Sequence, residues 1–170
     1  MHELAITVIG PDRTGIVADV TEVLAGVGAN LSDSTMTRLR GHFAMTLICT
    51  GPSAAEVEKA LEPLTADRKL VATVRAVEPE ADAEANGEPY LVSVHGTDRL
   101  GIVAAVTRVV AAAGGNITDL TTRLTGPLYV LIAEVDVPPG AAEQLAEQLA
   151  VAAAELGVDV NLRRAESEIL

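Results

Sequence analysis

Two short stretches of this chain carry the same chemical groups in the same order: Gly10-Pro11-Asp12-Arg13-Thr14-Gly15-Ile16 and Gly96-Thr97-Asp98-Arg99-Leu100-Gly101-Ile102. Each offers a carboxylate, a guanidinium and a glycine just ahead of an apolar run with helical spacing. The first turn of a helix has unpaired N–H groups and a partial positive charge, which suit a carboxylate. An aspartate beside it supplies an acceptor for an ammonium group. Together the two match both ends of an α-amino acid. A plainer role is open to Asp12 and Asp98, as N-caps worth about 1 kcal/mol. Gly15 and Gly101 either let a ligand approach the backbone or serve close packing or an unusual backbone angle. Arg13 and Arg99 are solvated loop residues or partners of nearby acids, or else they meet a carboxylate or phosphate.

Asn30 and Asn116 each follow a glycine-ended helix. Their amides both donate and accept, which suits an amino-acid head group. Asparagine also serves as a turn residue bonding its own backbone. No catalytic set stands beside these groups. Cys49 sits mid-strand among Leu47, Ile48 and Thr50, a packing position, whereas reactive thiols need a polar, electropositive setting. His2, His42 and His95 are too scattered for a metal site. His95, next to Gly96, could touch a carboxylate, but Ile9 at the equivalent place argues against a shared role. Neither a metal nor a cofactor is expected.

The elements that must position these residues are themselves duplicated. Between residues 10–33 and 96–119, 14 of 24 positions are identical, against about two expected by chance. In the first copy Leu4, Ile6 and Val8 alternate as in a half-buried strand. Ile16, Val17, Val20, Val23, Leu24 and Val27 then place one stripe on a helix that Gly28 stops. A polar strand over 30–39, a turn at Arg40-Gly41-His42 and a strand over 43–50 follow. Pro52 and Ser53 start a second helix bearing Val57, Leu61 and Leu64, and 69–77 closes the unit as a strand. The second copy repeats this as strand 90–95, helix 101–113, strands 116–124 and 128–136, helix 141–156 and strand 158–164. Arg38 lies eight residues after Asn30, but Arg123 only seven after Asn116. That difference predicts a bulge or an extra loop residue just after Asp33 in the first copy.

The order βαββαβ, twice, predicts an α+β fold of two ferredoxin-like domains, each an antiparallel sheet with both helices on one face. The expected boundaries are domain 1 over 1–78, an acidic linker over 79–88 and domain 2 over 89–170. Each copy is small enough to bury only about 60% of its chain surface alone. Pairing with its twin, or with another chain as a homodimer, is therefore expected, and sharing a sheet edge would cover it.

The net charge of −12 and only three aromatic residues disfavour direct nucleic-acid binding. No run reaches the roughly 18–20 apolar residues of a membrane span. Met1-His2-Glu3 leads straight into a strand pattern, so no signal segment is expected, and with one cysteine among 170 residues the expectation is a cytoplasmic protein.

The pattern Asp-Arg-x-Gly-Ile-Val, a helix, then Gly-x-Asn-Leu/Ile-x-Asp resembles the start of an ACT domain, a regulatory amino-acid-binding module. A tandem of this kind is similar to the glycine cleavage system transcriptional repressor group. ACT domains of this subtype also precede deformylase and phosphatase domains; with both modules accounting for the 170 residues read, no such catalytic domain is expected. The resemblance implies a ligand held where two modules pair side by side. Asp12, Arg13, Thr14, Gly15 and Ile16 would face Asn116, and Asp98, Arg99, Leu100, Gly101 and Ile102 would face Asn30. Some relatives carry a polar side chain where this chain has Gly10 and Gly96. Thr14 and Leu100 replace a common proline, and the bulk of Leu100 makes unequal sites an expectation. The implied function is non-enzymatic: sensing a small amino acid, glycine or serine, and modulating a partner regulator or enzyme. The alternative is a ligand-independent dimerisation and docking module.

Overall fold

The computed structural model describes residues 2–81 and 86–166, and the chain divides into two compact units, 1–83 and 84–170. Residues 82–85, inside the expected linker, lie outside the described residues.

Unit 1 contains β1 (Glu3–Pro11), α1 (Ile16–Gly26), β2 (Asn30–Leu39), β3 (His42–Thr50), α2 (Ala54–Thr65) and β4 (Val71–Val77). Its antiparallel sheet has the order β2-β3-β1-β4. The alternation read at Leu4, Ile6 and Val8 is a buried row, paired with Cys49, Leu47 and Met45 of β3. Ile16, Val20 and Leu24 of α1 and Val57 and Leu61 of α2 close over that row in one core. A capping box starts α2: Ser53 accepts from the Glu56 N–H at 3.3 Å, and the Ser53 N–H donates to the Glu56 carboxylate at 2.7 Å. The end of α1 is closed by two bonds, from the Gly28 N–H to the Ala25 carbonyl and from the Ala29 N–H to the Leu24 carbonyl.

Unit 2 repeats the plan with β5 (Glu88–Thr97), α3 (Ile102–Ala112), β6 (Asn116–Thr125), β7 (Leu128–Val137), α4 (Ala142–Leu156) and β8 (Asp159–Arg164). Its sheet order is β6-β7-β5-β8, and Val92, Val94, Val106, Leu131, Val135, Leu145 and Leu149 share one core. The strand β5 begins at Glu88, which pairs in register with Val137, two residues earlier than the apolar alternation indicates.

The expected bulge is corrected. Both units carry a register shift, and it precedes the aspartate: between Leu31 and Asp33 in β2, and between Ile117 and Asp119 in β6. The two hairpins close alike, with Leu39 opposite His42 and Thr125 opposite Leu128. No residue is inserted; the arginines occupy different register positions. Arg38 faces Phe43, a core residue, while its counterpart in unit 2 is Leu124, opposite Tyr129. Arg123 lies opposite Val130, one place away, and one place in a strand is the other face of the sheet.

Candidate functional site

The Asp12–Gly15 loop leaves the end of β1, and its backbone is fastened across the sheet by a bond from the Asp12 N–H to the Gly41 carbonyl. The loop of unit 2 repeats this with the Asp98 N–H and the Pro127 carbonyl. Each loop enters its helix through glycine. Gly15 has φ 86° and Gly101 φ 87°, a conformation that L side chains rarely adopt, so the glycines are set by backbone geometry. Both act as N-caps without any side-chain cap.

This corrects the N-cap reading of Asp12 and Asp98. The cap falls three residues later, so the first-turn N–H groups of α1 and α3 have no carboxylate folded onto them. Asp12 instead approaches Arg38, Oδ2 to Nη1 at 3.7 Å. Thr14 and Leu100 sit at the loop tips, and Leu100 is 98% exposed. Ile16 and Ile102, by contrast, are buried as the first core residues of their helices.

The repeated arginines diverge. Arg13 donates to the Asp19 carboxylate at 2.8 Å and to the Thr14 carbonyl at 3.2 Å. Asp19 is replaced in unit 2 by Ala105, and Arg99 turns the other way, onto the end of α4. There Nη1 donates to the Leu156 carbonyl at 3.0 Å and the Glu155 carbonyl at 3.4 Å. Of the alternatives left open for both arginines, a nearby acid is the partner at Arg13, whereas Arg99 bonds backbone carbonyls.

Asn30 and Asn116 begin β2 and β6 and are exposed. Asn30 is level with Thr50, which is level with Glu3, whereas the loop follows Pro11 at the far end of β1. At about 3.3 Å per residue, some 30 Å of strand separate the loop from the asparagine of the same unit. Within one unit the two do not meet. Asn116 lines an open groove of about 550 Å³ between α3 and β6, with Thr107 and Arg108.

The glycines before the loops have a packing cause. A Cβ on Gly10 would fall against the Lys69 carbonyl and 2.8 Å from Leu70 Cδ2; one on Gly96 would lie 2.9 Å from Val158 Cγ1. His95 points its ring at Asp159, Nε2 to Oδ2 at 3.4 Å, with both side chains largely exposed. Cys49 is fully buried, and burial pushes its thiol pKa up, as fits a packing residue. Among the described residues no group of three or more His, Cys, Asp or Glu is placed to hold a metal ion, and no helix is long and apolar enough to cross a membrane.

A family model described as the ACT domain matches residues 2–75 and again residues 88–163. The chain belongs to the ACT domain family. Its two units are ACT modules in tandem. Phosphoserine phosphatase SerB2 of Mycobacterium tuberculosis is 30% identical over 159 residues, which are 91% of this chain but 39% of that enzyme. The UPF0237 protein MK1213 of Methanopyrus kandleri is 40% identical over 75 residues, 39% of this chain and 83% of that one. A crystal structure of an unknown protein from Galdieria sulphuraria matches with TM-score 0.80 and 29% identity, covering 97% of this chain and 99% of that one. A candidate glycine cleavage system transcriptional repressor matches with TM-score 0.75 and 22% identity, 98% of each chain being covered, so the tandem ACT fold is shared throughout.

Proposed function

We propose that this tandem ACT protein is a non-enzymatic amino-acid sensor. The observation that supports the reading is the repeated loop, in which each of α1 and α3 starts on a left-handed glycine with no side-chain cap, three residues after an aspartate. The carboxylate of a small amino acid would take first-turn N–H groups, and its ammonium the aspartate. Because loop and asparagine lie far apart within a module, the head group needs an asparagine from a second module. Asp12–Ile16 would work with Asn116, and Asp98–Ile102 with Asn30, through pairing of modules in one chain or in a dimer.

Glycine and serine are the proposed ligands, in keeping with the likeness to a candidate glycine cleavage repressor. Binding would alter how the modules hold together and thereby their affinity for a partner regulator or enzyme, by as much as the ligand prefers one arrangement. The net charge of −12 favours a basic protein partner over nucleic acid. Calorimetry against the twenty amino acids tests the reading. Heat of binding for glycine or serine, lost in Asp12→Ala, supports it; silence from every amino acid at millimolar concentration contradicts it.

A second reading, a docking module needing no ligand, draws on the exposed apolar side chains of the sheet. Ile9 is 47% exposed, Leu39 47% and Val71 58%. A partner captured equally well with and without amino acids would favour it.

A further inference from the structure

We propose that the helix-free face of the module 1 sheet is an interface between two copies of this chain, packed face to face about a twofold axis parallel to the strands. The helices cover the other face, where Leu4, Ile6, Leu47 and Cys49 are buried. On the helix-free face one row crosses all four strands as Thr35, Thr46, Thr7 and Thr73, each level with the next and each exposed. The Thr7 and Thr46 hydroxyls lie 3.5 Å apart. To one side runs the row Thr37, Ala44, Ile9 and Val71, and to the other Asp33, Ile48, Ala5 and Arg75.

A twofold axis along the strands reverses each row and lays it on itself, β2 over the partner's β4 and β3 over the partner's β1. Threonine then meets threonine. In the flanking rows Ile9 meets the partner's Ala44, and Ile48 meets the partner's Ala5. A large side chain faces a small one at each place, which lets two sheets about 10 Å apart interdigitate. At the margins Asp33 meets the partner's Arg75, an opposite charge, once on each side of the axis. Among the described residues neither Asp33 nor Arg75 is in an ion pair. The crossing of about 30° between packed sheets shifts these corners by a distance the long arginine side chain spans.

The same face of module 2 is not built for burial. Its two central strands place Glu134 and His95 there, and its outer strands Arg123 and Asp159. Charged residues are depleted at the cores of interfaces, and the central strands of module 1 carry none in these three rows. The face that complements module 1 is therefore another module 1, and each chain has one, so the occupant is a second copy. The three rows span roughly 20 Å by 20 Å, small beside the roughly 800 Å² per partner of a standard interface, so the dimer is weak. It uses neither the Asp12–Gly15 loop nor Asn116 and forms with or without a ligand.

The test is sedimentation equilibrium of the full chain from about 10 μM to about 1 mM, the range in which a weak dimer dissociates. Wild type should associate, and Thr46→Arg, in the middle of the face, should abolish association. Asp33→Arg and Arg75→Asp should each weaken it at least tenfold, because like charges then meet. An equimolar mixture of those two variants should associate as wild type does, since every contact again joins opposite charges; this pairing also shows that both variants are folded. Arg163→Asp in module 2, Asp12→Ala and Asn116→Ala should change nothing. A monomer throughout, a dimer indifferent to Thr46→Arg, or a mixture that stays apart overturns the inference. Association lost in Arg163→Asp but kept in Arg75→Asp overturns it in favour of module 2 as the occupant. Association lost in Asn116→Ala but kept in Thr46→Arg overturns it while upholding the loop-to-asparagine pairing.

Discussion

Arg99 donates from Nη1 to the Leu156 carbonyl at 3.0 Å, so the loop before α3 is fastened to the end of α4. The repeated arginine of module 1, Arg13, makes no such link and binds Asp19 within its own helix entrance. Two loops alike in sequence are therefore anchored differently. Arg99→Ala removes a charged cap from a helix C-terminus and should destabilise module 2 by about 0.5–1 kcal/mol. Arg13→Ala removes only a half-exposed ion pair, and its cost should be at the low end of about 0.2–1 kcal/mol. Urea unfolding of both variants checks the order.

Gly10 and Gly96 are held to glycine by neighbouring backbone and side chains rather than by the backbone angle. Gly10→Ala forces a methyl group against the Lys69 carbonyl, which cannot move without displacing β4. A loss of about 1–3 kcal/mol is expected. Gly126→Ala, with nothing within 4 Å of the added carbon, is the control for crowding, though its φ of 58° leaves it a strain term of its own.

The capping box gives a pH dependence with a definite sign. The Ser53 backbone N–H, and after it the Ser53 hydroxyl, hold the Glu56 carboxyl below its usual range. A carboxyl depressed in the folded state contributes stability that is present above its unfolded value, about 4.3, and lost as the pH falls through the folded value. Wild type should thus lose more stability between neutral pH and the acid side of that range than Glu56→Gln does. Unfolding midpoints over the same pH series decide it.

The buried Cys49 should be inert. With its thiol enclosed and its pKa raised by burial, reaction with a thiol reagent should be negligible in the folded protein and complete in denaturant. A fast native reaction would show that β3 opens readily.

Periodicity made the fold legible, because the apolar rows of β1, β3 and α1 repeat at the spacing of their element and each has a core to face. Gly28 and Gly114 were readable as helix stops for the same local reason. The bulges were not, since Ser32 and Thr118, where the register slips, carry no signal that sets them apart from other strand residues. The arginine spacing suggested an insertion, but the cause is a change of sheet face. The true caps at Gly15 and Gly101 were hidden by the better-known habit of aspartate at helix starts. The threonine row of module 1 was illegible as well, because it is made by strand pairing between residues far apart in the chain.

The most direct measurement is a double-mutant cycle on glycine or serine binding, with Asp12→Ala and Asn116→Ala alone and together. If the loop of one module and the asparagine of the other hold one ligand, the two losses should fall short of additive by about 1 kcal/mol or more, while Asp12 with Asn30 should add within about 0.5 kcal/mol. Strict additivity of Asp12 and Asn116 would contradict a shared ligand and remove the basis for sensing through paired modules.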